Sequence, residues 1–200
     1  MLEFLHVDYS SLNEIHSKDL FRLRKETFYD RLNWKVSCDN DMEYDEFDNI
    51  NSKYILGIFN GEIICSVRFI SLKHENMINK TFNDYFNDVD LPLNGIESSR
   101  FFVDKRRSKK YLGSSYPITL SLYVAMIDFL IKNGHDGFYT ITSHSMIALL
   151  KRSAWHLKII KVANISTDEK IYLIFLHSTK EDYARMNSAL EAANCKLNLT

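Results

Sequence analysis

Hydrophobic patterning that switches between a period of two and a period of 3.6 points to a mixed α/β domain, an antiparallel-leaning sheet with helices packed over it. Three stretches carry that expectation. Two β-branched apolar runs flank Asn60-Gly61, the strongest short-range hairpin signal. Leu12, Ile15, Leu20 and Leu23 recur at helical spacing. Pro117 and Gly134 then bracket an apolar run with the start and stop signals of a buried helix.

Taken in order, "MLEFLHVDY" reads as a short opening strand, followed by an amphipathic helix in "SSLNEIHSKDLFRLRKETFYDRL" capped by Ser10 or Ser11. "NWKVSCDNDMEYDEFDNINS" is acidic and irregular, so it reads as a long loop. "KYILGIFNGEIICSVRFISL" is the hairpin, "NKTFNDYF" a small helical piece, and "IESSRFFV" a strand. "YPITLSLYVAMIDFLIKNG" is apolar nearly all round, as a buried helix must be. "GFYTITSH" is a strand, "SMIALLKRS" a short helix and "EKIYLIFLH" a late strand. The polar tail from about Ser178 is expected to be peripheral, frayed or helical.

Two hundred residues suit one sizeable domain with a full core, or at most two small ones, and with no linker in sight the reading is a single domain spanning 1–200. The net charge of −1 supplies no global field toward nucleic acid or anionic membrane, so charge-based partner choice must come from local clusters. No apolar run reaches bilayer length. Cys38, Cys65 and Cys195 are odd in number and match no zinc or CxxC spacing. With no leader-like opening, they point to free thiols in a reducing cytoplasm. The histidines show no HExxH or other ligand spacing, and GxSxG, Walker and GxGxxG motifs are absent, so neither a metal nor a cofactor is expected.

The candidate site residues are ions in apolar settings. Arg24 lies at i+4 from Leu20 and i−4 from Phe28, on the inward stripe of the first helix. It reads either as a structural ion pair or as an anion clamp, with Asp45 and Asp48 as acidic complements and Trp34 as a possible aromatic wall. Arg68, inside an apolar strand, demands an acid as well. Strict alternation sets Glu97, Ser99 and Phe101 on one face and Ser98, Arg100 and Phe102 on the other, unless a bulge re-aims one of them. The consecutive polar side chains of Glu97, Ser98, Ser99 and Arg100 each need a partner in a strand, which favours a site. Lys105, Arg106, Arg107, Lys109 and Lys110 form a basic run, read as a surface loop or as a docking patch for an acidic macromolecule. "KYLGSS" (Lys110 to Ser115, with Gly113 and Ser114) precedes a helix start, where backbone amides favour phosphate.

The ordered set "LRKETFYDRLNW", "EYDEFDN", "CSVRF" and "ESSRFFVD" resembles the acyl-homoserine lactone synthases, the LuxI-type autoinducer synthases of bacterial quorum sensing, across roughly Met1 to Leu176. The resemblance implies a GNAT-type N-acyltransferase fold with a bulged strand at Glu97 to Val103. It also implies that the S-adenosylmethionine amine attacks an acyl-acyl carrier protein thioester, after which lactone closure releases methylthioadenosine. On this basis Glu97, Ser99 and Arg100 are catalytic, while Arg24, Phe28, Trp34, Asp45, Asp48 and Arg68 frame the S-adenosylmethionine pocket. Ser98, Phe101, Met126, Thr140, Met146 and Leu150 line the acyl pocket. A Thr at 140 resembles members that prefer a 3-oxo chain. Lys105, Arg106, Lys109, Lys110, Gly113, Ser114, Lys151 and Arg152 dock the phosphopantetheine arm and its carrier, with Lys158 as an extension. "KYLGSS" departs from the [Q/R]-x-x-G-x-[G/A] loop by which acetyltransferases hold a pyrophosphate, and this favours the single phosphodiester of a carrier protein. The rival readings are a coenzyme A-dependent small-molecule N-acyltransferase and a non-catalytic binder using "KRRSKK" on nucleic acid.

Overall fold

The computed structural model describes residues 1–153 and 155–197; positions 198–200 of the expected tail lie outside them. In chain order the first elements are β1 (Glu3–Asp8), α1 (Glu14–Arg24), β2 (Cys38–Asp39), β3 (Met42–Glu43), β4 (Ser52–Phe59) and β5 (Glu62–Ser71). Then come α2 (Asn83–Phe86), β6 (Ile96–Val103), α3 (Lys105–Leu112), α4 (Ile118–Lys132) and β7 (Gly137–Ser143). The last are α5 (His144–Arg152), β8 (Leu157–Asn164), β9 (Lys170–His177) and α6 (Lys180–Leu197). No helix among the described residues is long and apolar enough to cross a membrane.

The chain divides into two compact units, residues 1–68 with 100–122 and residues 69–99 with 123 onward. In the first, β1 pairs antiparallel with β4, from Glu3 opposite Ile58 to Asp8 opposite Lys53. The β4–β5 hairpin turns at Asn60 and Gly61, with φ of 51° and 80°. Two successive positive φ values match the right-handed strand twist, which is why Asn-Gly belongs there. Leu20, Leu23 and Phe28 from the first helical region join Tyr54, Leu56, Ile63 and Phe102 in a buried cluster. Each such side chain contributes about 1.5–3 kcal/mol when fully removed from water.

Several expectations are corrected in this unit. Asn13, not Ser10 or Ser11, caps α1; its side-chain oxygen accepts from the His16 amide at 2.8 Å. The serines instead belong to a 3₁₀ turn, Tyr9–Ser11. After Arg24 the helix widens into a π turn, Lys25–Arg31. Such turns recur at functional sites because the extra residue per turn re-aims the side chains that follow. The acidic loop contains the small β2–β3 hairpin. The basic run is not a loop but helix α3, because Asp104 caps it through the Arg106 and Arg107 amides. Arg107 leaves the cationic face and is buried, with both terminal nitrogens on Asp19 at 2.6 and 2.8 Å.

In the second unit β6 pairs parallel with β7, Glu97 lying opposite Tyr139. The strands continue to β9 and then β8, both antiparallel. Strand β8 was not expected from the sequence. Its pattern of exposed and half-buried residues, interrupted by a register shift between Ile159 and Lys161, belongs to an edge strand. A buried cluster of Leu72, Ile78, Phe86, Ile171 and Leu173 forms part of the core. The tail is helical as α6, with Met186 fully buried.

Candidate active site

Three arginines and three carboxylates of the first unit close into an alternating ring. Arg24, at the end of α1, donates from Nε to Glu43 Oε2 at 2.6 Å and from Nη1 to Asp48 Oδ1 at 2.7 Å. Arg68 of β5 meets the same Asp48 oxygen at 2.9 Å and grips Asp45 with two bonds of 2.5 and 3.0 Å. Arg100 of β6 reaches Asp45 at 2.7 Å and Glu43 Oε1 at 2.9 Å, which completes the circuit. Every ion therefore has an opposite charge on each side, and the six sum to zero.

The ring is buried unevenly. Side-chain exposure is 0–2% for Arg24, Glu43, Asp48 and Arg68, but 9% for Arg100 and 16% for Asp45. The open side of the ring thus presents one cation and one anion next to each other. Arg24 Nη2 is buried without a hydrogen-bond partner, and its guanidinium carbon lies 5.3 Å from the Phe21 ring centroid. Burial opposes the charge of Asp48, but Arg24 and Arg68 overcome that cost and hold its carboxyl well below the ordinary range. Arg24 is likewise kept charged against its own burial by Asp48 and Glu43.

An aromatic wall adjoins the ions. The Trp34 amide donates to the Phe28 carbonyl at 2.8 Å, folding the chain back so that the two rings stack at 5.1 Å and 18°. Phe28 is buried and faces the Arg100 guanidinium at 5.7 Å, while Trp34 is 49% exposed. Arg100 has φ of +54° within a strand. That left-handed residue interrupts the extended backbone of the strand.

The remaining expected residues fall in two places. Glu97 and Ser98 are buried in the second unit, and Ser99 Oγ donates to Glu97 Oε2 at 3.3 Å. There too Met126 and Leu150 are buried, while Thr140 and Met146 are partly exposed. Thr140 follows Tyr139, the residue opposite Glu97 on the neighbouring strand. Phe101 is half-buried in the first unit. Lys105, Arg106, Lys109 and Lys110 are exposed on α3, with Gly113 and Ser114 exposed after it. Gly113 has φ of +87°, a conformation that suits glycine. Lys151 and Arg152 are exposed at the end of α5 and Lys158 on β8. Among the described residues, no group of three or more His, Cys, Asp or Glu side chains is disposed to hold a metal ion.

Sequence reasoning missed Glu43 and Tyr54. Glu43 joins Arg24 to Arg100, and Tyr54 donates to Asp48. A charge count signals the first: three inward arginines need three acids, and Asp45 with Asp48 supplies two.

The fold is similar to that of an acyl-CoA N-acyltransferase from Pseudomonas aeruginosa (TM-score 0.59, 11% identity, 88% of this chain and 99% of that one), so the architecture is that of the GNAT-type acyltransferases. It is similar also to a CoA-dependent acyl-homoserine lactone synthase, BjaI, solved with MTA (TM-score 0.83, 15% identity, 96% and 90% covered). The same synthase solved with SAM and isopentyl-CoA matches with a TM-score of 0.80 at 14% identity, covering 96% and 90%. The autoinducer synthase family model matches residues 8–186. An acyl-homoserine-lactone synthase of Yersinia ruckeri is 48% identical over 202 residues, covering 98% of this chain and 94% of its own. One from Enterobacter agglomerans is 52% identical over 177 residues, covering 88% and 82%. The chain belongs to the autoinducer synthase family, and it is an enzyme of the acyltransferase class.

Asp48→Asn leaves Arg24 and Arg68 each short of a carboxylate in a buried setting. Folding stability near neutral pH should fall by about 3–5 kcal/mol, read from urea unfolding. Because the folded-state pKa is depressed, the contribution of Asp48 is complete above the ordinary value of 3.8 and is lost as pH falls through the folded value. The gap between wild type and variant should therefore begin to narrow only as the pH drops below the ordinary value of 3.8; a gap that narrows at neutral pH would contradict the assignment.

Proposed function

We propose that this enzyme acylates the amine of S-adenosylmethionine from an acyl-acyl carrier protein and closes the product to a 3-oxo-acyl-homoserine lactone, a quorum-sensing signal, in the cytoplasm. The observation that carries this reading is the neutral ion ring, least buried at Asp45 and Arg100. An amino acid end bears an ammonium and a carboxylate side by side, and the open side offers an acceptor and a donor to match. The half-exposed Trp34, backed by the buried Phe28, gives the rest of the molecule an aromatic surface. SAM and MTA are the molecules with which the structurally similar BjaI was solved.

In the first step the amine nitrogen bonds to the thioester carbonyl carbon, the carbon–sulfur bond breaks, and the carrier thiol leaves with a proton. The ammonium must lose its proton beforehand, and Glu97, a buried carboxylate held by Ser99, is the assigned base. Charge growing on the carbonyl oxygen needs aimed donors, a role given to Arg100 and to strand amides. In the second step the methionine carboxylate displaces the sulfonium sulfur, forming the lactone carbon–oxygen bond and releasing neutral methylthioadenosine. Sulfonium leaves readily, so positioning is the main requirement.

Exposed Lys105, Arg106, Lys109 and Lys110 on a capped helix, with Lys151 and Arg152 on another, support an acidic carrier as acyl donor. An acyl-CoA donor is the second reading, favoured by the CoA dependence in the description of BjaI. Ser98, Phe101, Met126, Thr140, Met146 and Leu150 are assigned to the acyl chain. The Thr140 hydroxyl supports a 3-oxo group, whereas an apolar wall separates chains differing by one methylene by only about 1–3 kcal/mol.

Incubation with S-adenosylmethionine and either 3-oxoacyl-carrier protein or 3-oxoacyl-CoA tests the reading; absence of methylthioadenosine with both donors would end it. Glu97→Gln should lose about 100-fold in acyl transfer at neutral pH and less at high pH, where the substrate amine is already free. Equal loss across the pH range would reassign Glu97 to positioning. Charge reversal at Lys105, Arg106 and Lys109 should raise KM for the carrier substrate while sparing small thioester mimics, as steady-state kinetics would report.

A further inference from the structure

Asp48 is saturated. Its Oδ1 accepts from Arg24 Nη1 at 2.7 Å, Arg68 Nη1 at 2.9 Å and the Tyr54 hydroxyl at 2.7 Å. Its Oδ2 accepts from the Asp45 amide at 2.9 Å. Its side chain is 2% exposed, against 16% for Asp45, so it lies behind the open side of the ring and out of a ligand's reach. Asp48 is thus a hub that orients other groups. Two of its donors are ring members, and a third belongs to the turn that carries Asp45. The turn is short and locally bonded: Asp48 N donates to Asp45 O at 3.0 Å and Phe47 N to Asp45 Oδ1 at 3.0 Å.

Tyr54 is the donor with no charge and no other assigned task. It is 1% exposed on β4, opposite Val7 of β1, so its ring is fixed by sheet pairing and by the surrounding apolar cluster. The charged groups acting on it are Asp48, Arg68 and Arg24. Burial first, and then the neighbouring Asp48, hold its phenol above the ordinary range, so it donates throughout neutral pH.

We propose that Tyr54 is a positioning residue: its hydroxyl locks Asp48 in one rotamer, and through Asp48 it sets the directions of Arg24 and Arg68 and the placement of Asp45 at the open side of the ring. The inference rests on the reading of that open side as the S-adenosylmethionine site. It adds a sheet-borne anchor that ties the acidic turn to the strands.

Tyr54→Phe removes one oxygen. KM for S-adenosylmethionine should rise by about tenfold, the equivalent of one hydrogen bond to a charged group. The KM for the acyl donor should stay unchanged, and kcat should change much less than KM. A lower unfolding temperature with an unchanged S-adenosylmethionine KM would mean a purely structural role and overturn the proposal. To guard against a variant that fails to fold, p-methylphenylalanine and p-aminophenylalanine are placed at position 54. Both keep the bulk, but only the second keeps a donor. The methyl analogue should show the raised KM and the amino analogue should restore it toward wild type; equal constants for the two overturn the proposal. A wild-type enzyme that releases no methylthioadenosine removes the functional reading and this proposal together. Wild-type release with an unaltered Tyr54→Phe KM removes only this one.

Discussion

The alternating ring of Arg24, Glu43, Arg100, Asp45, Arg68 and Asp48 organises the first unit. Burying six ions costs several kcal/mol each before their mutual attraction repays it, and an apolar core of equal volume would be at least as stable. The ring is therefore better understood as a specification device. Its members come from the end of a helix, a two-residue strand, an acidic turn, and two longer strands. No member can move without leaving two neighbours under-compensated, so five separate segments are held in one register. The tolerance to movement lies on the side where Asp45 and Arg100 retain some solvent.

What could be read from the sequence depended on whether a residue obeyed the period of its element. Arg24 fell on the stripe of Leu20 and Phe28 and Arg68 within an unbroken apolar strand, so their burial was legible. Arg100 drew attention for the opposite reason: strict alternation sets it on the other face from Glu97, and its backbone departs from the extended form with a positive φ. Glu43 was hidden because β3 is two residues long, too short for any period to register. The basic run misled because charge density suggested an irregular loop, whereas the deciding feature was the cap at Asp104 just before it. Strand β8 escaped because an edge strand alternates lysine with isoleucine and valine and buries little.

The two units divide the chemical character of the fold. The first gathers compensated ions beside stacked aromatic rings. The second sets Glu97 in a strand parallel to the one that carries Thr140, with Met126 and Leu150 buried elsewhere in it. Polar recognition needs directional partners and tolerates few substitutions. Apolar recognition depends on volume and is forgiving by comparison.

Arg100 meets two demands that pull against each other. Its left-handed backbone costs an ordinary residue about 1–3 kcal/mol, so glycine or asparagine would be at ease there, yet neither could reach Glu43 and Asp45. The tension is sustained because two carboxylates clamp the side chain while the strand clamps the main chain. That position behaves as a loaded spring whose catch is made of charge: anything that discharges the acids also frees the backbone, and shape and chemistry at that point would fail together.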